Sequence, residues 1–476
     1  MTPLDFIVLF TYLIIITGVA VWAGGRQTSA HSFFLADRDL PWWMIMFSVV
    51  ATETSVLTFL SIPGLAYHSD LGFLQLALGY MAGRWLVARY LLPHYFEQGI
   101  ESTYEFIGYR WGRSVQRFTS LIFLCTRILA DGVRLFMTAI PLALITGWSY
   151  PASIAVIGVF TLAYTLIGGI RSVVWADTIQ FGIYILGAVA TYVVLDGMID
   201  GGWSNILSSA SAAGKLTLFH FATGTGSSLI NAPYHFLTAV AGGVFLSLAS
   251  HGTDHLMVQR IMAARSKEDG QKALIGSGIV VFFQFAVFLI LGVGIWFFYQ
   301  NPDMNANEVF STFILENLPA GLKGLIVAAI FSAAMSTLSS SINALASSTM
   351  TDWIKSARPE KVTLAMSRML SVFWAVVLIF GATLFTSTES PLVEVGLAIA
   401  SFTYGGLLGF FVIGRSAREY SKISVVSGFV VSLLVMVAVV SLTDVAWPWF
   451  TIIGVTVMVG ASSLLNLIVS AYSGLK

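Results

Sequence analysis

The chain has 476 residues, of which 57% are hydrophobic and 10% charged, with 24 basic side chains balancing 24 acidic ones. Soluble domains carry about a quarter of their residues as charges, so this composition excludes an ordinary water-soluble enzyme. Zero net charge and a pI near 7.1 argue against a nucleic-acid partner, and a single cysteine, Cys125, leaves no internal disulfide.

Taken in chain order, apolar runs near the roughly 20 residues that cross a bilayer recur from one end to the other. They cover 4–23, 42–65, 71–95, 116–146, 150–169, 174–195, 236–258, 273–298, 320–351, 363–386, 391–413, 423–442 and 447–471. That is an all-α membrane protein of about thirteen transmembrane helices, with the lipid bilayer as its surroundings. The first run begins "MTPLDF", without the basic stretch of a cleaved leader, and is too long for one, so it is expected to stay in the membrane. The longest polar stretch, 196–234, reads as a Gly/Ser-rich outer loop with room for a short surface helix, and 301–319 as a second outer loop.

Cytoplasmic loops carry the excess of Lys and Arg. With the N-terminus outside and thirteen crossings, 18 of the 24 cations fall on the inner side, among them Arg110, Arg113, Arg117, Arg260, Arg265 and Lys476. The outer side keeps Lys215 and Lys323, and Arg84, Arg89, Arg127 and Arg134 fall within spans. The expected topology is therefore N-terminus out and C-terminus in, in a plasma membrane (a bacterial inner membrane).

Two apolar runs are interrupted at matching places: "SVVATETSVLTFLSIPG" at 48–64 and "AGGVFLSLASHGTDH" at 241–255. Irregular backbone at membrane depth is tolerated only around a cavity. Counting from the first interrupted run, five spans cover 42–195 and five more cover 236–413, with one span before and two after. An odd number of spans per repeat inverts the second repeat, which gives a LeuT-type 5+5 architecture within a single transmembrane domain, 1–476.

The stretch "FSAAMSTLSSSINALASS" at 331–348 carries eight hydroxyls where lipid is expected. At 100° per residue, Ser332, Ser336, Ser339, Ser340, Asn343 and Ser347 share about 100° of arc. Close packing of small residues between membrane helices is one explanation. A hard cation that wants several oxygen ligands is another. In "CTRILADGVRLF", Asp131 lies four residues after Arg127 and three before Arg134, so it touches both on a helix and fully compensates only one. Either the cluster neutralises itself, or one arginine holds a carboxylate bidentately. His251 and His255 have the spacing of a metal pair but lack further ligands in a suitable pattern. Phe73 and Gln75, in "GFLQLALGY", are further pocket candidates.

Several motifs together resemble the sodium/solute symporter family: "FFLADRDLPWW" at 33–43, "YTLIGGIRSVVWADTIQ" at 164–180, "GTDHLMVQRIMAA" at 252–264 and "AAMSTLSSSINALAS" at 333–347. By that resemblance the first sodium ion is held by the carbonyls of Ala51, Thr54 and Ala333 and the hydroxyls of Ser336 and Thr337. Some relatives similar to sialic acid carriers hold a second ion, which here implies Asp177 with Ser336, Ser339 and Ser340. The alternative for Asp177 is a pair with Arg171 or a helix cap. Ser332, Asn343, Ser347 and Ser348 keep the packing explanation.

Glu53 stands where the proline-carrying branch has an aspartate, either bonding freed backbone N–H groups or organising ion and solute, with Ser55 and Thr58 beside it. Ser247 and His251 are pocket candidates on the second interrupted run. Sugar carriers place aromatics at Ser250 and His251, which speaks against a galactose-like solute. The resemblance implies a monomeric sodium-coupled symporter, with one or two Na+ and no organic cofactor, importing a small polar solute by alternating access. The intramembrane arginines favour a carboxylate-bearing solute such as a sialic-acid-like sugar acid; a neutral sugar or amino acid is the alternative, and a channel is less favoured because no TVGYG-like filter is present. No G-x-S-x-G, HExxH or Cys/His pattern points to an enzyme.

Overall fold

The computed structural model describes residues 1–222, 228–300, 302–384 and 392–473, and among these it is helical throughout, with one isolated bridge between Leu40 and Ala264. Lys476, residues 385–386 of the 363–386 run and residue 391 of the 391–413 run lie outside the described residues.

Helix α1 (Pro3–Gly24) opens on a capping box in which Thr2 and Asp5 satisfy each other's backbone N–H groups. The second Asp5 oxygen accepts from Gly321 N at 2.7 Å and Gly324 N at 3.1 Å, placing an anion at the start of a distant helix, where N–H groups lack intrahelical acceptors. Helices α2 (Trp42–Glu53) and α3 (Val56–His68) form one span bent by 61°. Helix α4 (Leu74–Leu86) continues through a π-helical turn, Val87–Leu91, into Leu92–Glu97. Helix α5 (Arg113–Thr146) precedes α6 (Tyr150–Met198). A second bent pair, α7 (Phe236–Gly252) and α8 (His255–Met262), also turns by 61°. Then come α9 (Lys267–Tyr299), α10 (Leu322–Ser348), α11 (Leu364–Ala382), α12 (Leu392–Gly414), α13 (Lys422–Leu442) and α14 (Trp449–Ser473). The expected surface helix of the outer loop spans Gly202–Ala212, and the second loop contains Val309–Asn317.

Among the described residues eight helices are long and apolar enough to cross a membrane, or ten if each bent pair is one span, so length and hydropathy alone do not reach thirteen there. Two features account for part of the gap. The π-helical turn cuts α4 short, and α5 carries Arg113, Arg117, Arg127, Asp131 and Arg134. Helix α6, at 49 residues, would rise about 74 Å, more than twice a hydrocarbon core of about 30 Å. It is divided at Gly169, whose φ of 56° and ψ of −147° are not helical. A Cβ there would stand 2.3 Å from the Phe33 carbonyl oxygen, so the "IGGIR" motif needs glycine both for its backbone and for contact with the "FFLADR" segment.

Helix α10 is the hub of the molecule, with every residue from Ile326 to Ser348 buried. Its hydroxyls are distributed among several neighbours rather than facing lipid: Ser332 bonds Tyr12 on α1, Ser336 bonds Asp177 on α6, Ser341 bonds Asp131 on α5, and Ser348 bonds Ser120 on α5. Gly79 and Gly83 on α4 meet the backbone of α7 around Val240, Gly243 and Val244 closely enough to exclude a Cβ, which draws the second bent pair toward the first.

One sequence expectation is corrected. The run ending at 258 continues through the bend as α8, and Arg260, counted as an inner-loop cation, is fully buried. The apolar pattern ended early because α8 carries His255, Gln259 and Arg260 into the interior.

Candidate ion and solute site

At the α2–α3 bend the backbone changes its hydrogen-bond partners. The Ser55 N–H, which a continuing helix would aim at the Ala51 carbonyl, bonds Glu53 O at 3.0 Å. The Thr58 N–H, which would serve the Thr54 carbonyl, bonds Ser55 O at 3.0 Å. Both carbonyls singled out by motif therefore lose their usual donors, and carbonyls at the end of a half-helix favour a cation. On α10, Thr337 Oγ1 donates to Ala333 O at 3.1 Å, so these two oxygens lie side by side. The Thr54 hydroxyl accepts from Gln284 Nε2 at 2.7 Å, a partner that sequence reading missed.

Asp177 is completely buried on α6 and pairs with neither Arg171 nor a helix end. Its Oδ1 accepts from Ser336 Oγ at 2.6 Å and its Oδ2 from Ser48 Oγ at 2.5 Å. Arg171 instead meets Asp39, at 3.4 Å. The cation that faces Asp177 is Arg260, at 3.7 Å. Arg260 also donates to Ser48 Oγ at 3.1 Å, to Leu256 O at 2.8 Å and, by a short bond, to Ser340. The Ser339 and Ser340 hydroxyls both donate to Ser336 O, at 3.1 and 2.5 Å. The four residues expected around a second ion are thus brought together, with Arg260, Ser48 and Thr52 added, the Thr52 hydroxyl lying 3.1 Å from Ser340 Oγ. Arg260 was missed because its charge, just past the end of an apolar run, reads as that of a loop cation.

Between the two bends is a cavity of about 70 Å³ lined by Glu53, Tyr80, Arg127, Arg134, Ser247, Ser250, His251, Asp254, Leu397, Ala400 and Tyr404, with Leu246, Leu256 and Met257. Glu53 is held by a short ion pair to the buried Arg84, which also bonds Ser277 at 2.7 Å, and not by the freed backbone N–H groups. His251 Nδ1 contacts Ser250 Oγ at 2.8 Å, while its buried Nε2 has no hydrogen-bond partner and stands 3.8 Å from Glu53. His255 points elsewhere, between Thr103 and Ser347. Among the described residues no group of His, Cys, Asp and Glu could hold a metal of that kind.

The arginines differ in their partners. Arg127 is ion-paired to both Asp131 and Asp254, each at 3.4 Å, and donates to Tyr404 OH at 2.9 Å. Among the described residues Arg134 has Asp131 as its one carboxylate partner, at 3.3 Å, already shared with Arg127 and Ser341; its side chain is 18% exposed against 2% for Arg127, and the Nε of both arginines lacks a partner. A second, smaller cavity places Arg134 and Ser55 beside Thr337. Two expected pocket residues do not line either space: Gln75 is fixed to Tyr234 O and Gly72 O, and Phe73 packs against Tyr234 and Phe285. Both belong to the packing around the outer loop. Thr58 is buried in α3 and lines neither cavity; Ser247 lines the first and bonds Tyr80 O at 3.2 Å.

Residues 33–413 match the model of the sodium:solute symporter family. The sodium/sialic acid symporter of Aliivibrio fischeri is 29% identical over 467 residues, covering 96% of this chain and 91% of that protein. The human sodium/iodide cotransporter is 30% identical over 445 residues, covering 89% of this chain and 67% of that one. A sodium-coupled sialic acid symporter solved in its substrate-bound, outward-open state superposes with a TM-score of 0.88 at 26% identity, over 98% of both chains. A nucleobase-cation symporter in a closed conformation shares the fold at a TM-score of 0.57 and 13% identity, over 91% of this chain and 94% of that one. With a helical LeuT-like fold and two bent spans facing one cavity, the chain belongs to the sodium:solute symporter family, and is a sodium-coupled membrane transporter, not an enzyme.

Proposed function

We propose that this protein imports a small carboxylate-bearing anion, a sialic-acid-like sugar acid, together with two sodium ions. The observation that carries the solute class is Arg134, which at the wall of the cavity has one carboxylate partner, shared with Arg127, while Arg127 has two. Relatives named for sialic acid, iodide and monocarboxylates all handle anions, which supports the same class. Glu53 does not oppose an anion, because Arg84 holds its charge.

The first ion is assigned to the carbonyls of Ala51, Thr54 and Ala333 and the hydroxyls of Ser336 and Thr337, and the second to Asp177 with Ser336, Ser339 and Ser340. Hydroxyls and carbonyls bind Na+ without adding net charge to the interior, and Asp177 is the counter-charge that a second ion needs. Leu397, Ala400 and Tyr404 of α12 and residues of both bent pairs wall the cavity, so relative movement of these elements is the motion that alternating access would use to admit and release solute.

The chain is read as thirteen crossings: each bent pair as one span, α6 as two divided at Gly169, and repeats at about 42–195 and 236–413. The N-terminus is placed outside and the C-terminus inside a plasma membrane, with the protein acting as a monomer. Each ion contributes about 2.3 kcal/mol per 100 mV of membrane potential to accumulation. Uptake of radiolabelled N-acetylneuraminate into proteoliposomes tests the proposal: concentrative uptake with sodium is expected, and equal uptake in sodium and in choline refutes it.

A further inference from the structure

The lower half of α10 and α8 face each other along a polar seam that shares only Ser340 with the proposed ion sites. Three rungs cross it. Arg260 meets Ser340, Gln259 Nε2 donates to Asn343 Oδ1 at 2.7 Å, and His255 Nε2 contacts Ser347 Oγ at 3.1 Å. Gln259 Nε2 also donates to Phe34 O at 2.8 Å. All six side chains are buried, with exposures of 0–1%. Positions 340, 343 and 347 repeat at the three- and four-residue spacing that keeps one helix face in line.

Apolar residues would join two buried helices at lower cost, so the polarity calls for an explanation. Two atoms in the middle rung sharpen it: Gln259 Oε1 and Asn343 Nδ2 are buried and have no hydrogen-bond partner. Each such orphan costs about 1–3 kcal/mol unless water or a ligand satisfies it. One is an acceptor and the other a donor, the complement that a water or a partly hydrated ion supplies. The top rung adjoins Asp177 through Arg260, 3.7 Å from the carboxylate. The bottom rung opens on a pocket of about 190 Å³, where Ser347 is joined by His31, Glu101, Thr351 and Lys355.

We propose that this seam is the lane by which a sodium ion leaves Asp177 for the inner-facing pocket, with Gln259 and Asn343 as its intermediate station. The inference rests on the sodium and orientation readings above. Arg260 heads the lane as a tethered counter-charge: when the ion departs, the guanidinium keeps Asp177 neutralised, so the site is not left as a lone buried anion that recaptures the ion. Oxygens then line the descent in turn: Ser340 Oγ, Asn343 Oδ1 with Gln259 Oε1, and Ser347 Oγ, ending near Glu101.

The test separates binding from release. In proteoliposomes, Asn343→Leu is expected to lower the maximal uptake rate about tenfold or more while leaving the equilibrium sodium affinity of the purified protein unchanged; Asn343→Ser is expected to restore most of the rate. An unchanged rate, or a sodium affinity that falls in step with the rate, overturns the lane. Where Asn343→Leu does not fold, Asn343→Cys in a Cys125→Ser background is treated with Ag+, a thiol-reactive cation close to Na+ in size, from the inner side. Inhibition is expected, and a cysteine inert to Ag+ refutes the lane. Wild-type uptake that ignores sodium would instead refute the symport reading itself, a result visible before any variant is made.

Discussion

The Ser336 hydroxyl donates to Asp177 Oδ1 at 2.6 Å, across the contact between α10 and α6. One side chain thus belongs to both proposed ion sites, while Thr337, one residue on, turns to Ala333 O and the first site only. Replacing Ser336 with Ala should therefore weaken sodium activation of uptake by about tenfold or more, equivalent to about 1.4 kcal/mol, and flatten its sigmoidal dependence. Thr337→Ala should shift the half-saturating sodium concentration without flattening the curve. Sodium titrations of initial uptake rates check both, and a wild-type sodium curve for Thr337→Ala would remove the first site from these residues.

Asp177→Asn keeps the shape of the buried cluster with Ser48, Ser336 and Arg260 but removes its negative charge. The expected outcome is one sodium per solute instead of two, with solute affinity within about twofold of wild type, because the cavity does not include Asp177. Stoichiometry measured from reversal potentials in proteoliposomes decides this. A variant that still couples two ions would show that the second ion binds elsewhere.

The two arginines of α5 should fail in different ways. Arg127→Gln leaves Asp131 and Asp254 short of their shared cation in the interior, and breaking a buried pair costs about 3–5 kcal/mol, so the purified protein should unfold at a markedly lower temperature. Arg134→Gln removes a partly exposed cation whose partner Asp131 retains Arg127 and Ser341. That variant should fold and keep its sodium affinity while losing stabilisation by N-acetylneuraminate in thermal unfolding. Loss of solute binding in a folded Arg127 variant, with Arg134→Gln unaffected, would reverse the assignment.

These contrasts mark where sequence reading ends. The all-helical, many-span character, the two bends and the hydroxyl face of α10 were legible because periodicity and local composition carry them. The motif resemblance brought Asp177 and Ser336 together although 159 positions separate them. What stayed hidden were partners set by tertiary packing. Arg84 on Glu53, Arg260 on Asp177, Asp254 on Arg127 and Gln284 on Thr54 each join residues from different helices, and no spacing along the chain announces them. Asn343 and Ser347 read as packing residues because their partners, Gln259 and His255, lie on a half-helix that the apolar pattern cut short. Phe73 and Gln75 line neither of the two cavities described, for a related reason: a span fixes depth in the membrane, but not which face meets the cavity.

Glycines at three positions separate backbone strain from contact. Gly169 combines a φ of 56° with a hypothetical Cβ 2.3 Å from the Phe33 carbonyl oxygen, a backbone atom that cannot swing aside. Gly25 has a φ of 64° but open space around it, and Gly182 lies in a helix with nothing near. A non-glycine residue in a sparsely populated backbone region costs about 1–3 kcal/mol, and Ala for Gly in a helix gains about 1 kcal/mol. Alanine at Gly182 should therefore leave the unfolding temperature equal or slightly raised, at Gly25 lower it modestly, and at Gly169 lower it most or abolish expression. The Gly169 effect should carry a functional signature as well, since the break lies between the Asp177 half of α6 and the "FFLADR" segment, and displacing that contact moves the carboxylate relative to Ser336. Sodium affinity should fall in Gly169→Ala and hold in Gly25→Ala at matched temperature. A Gly169→Ala protein as stable as wild type would mean that α6 is not divided there.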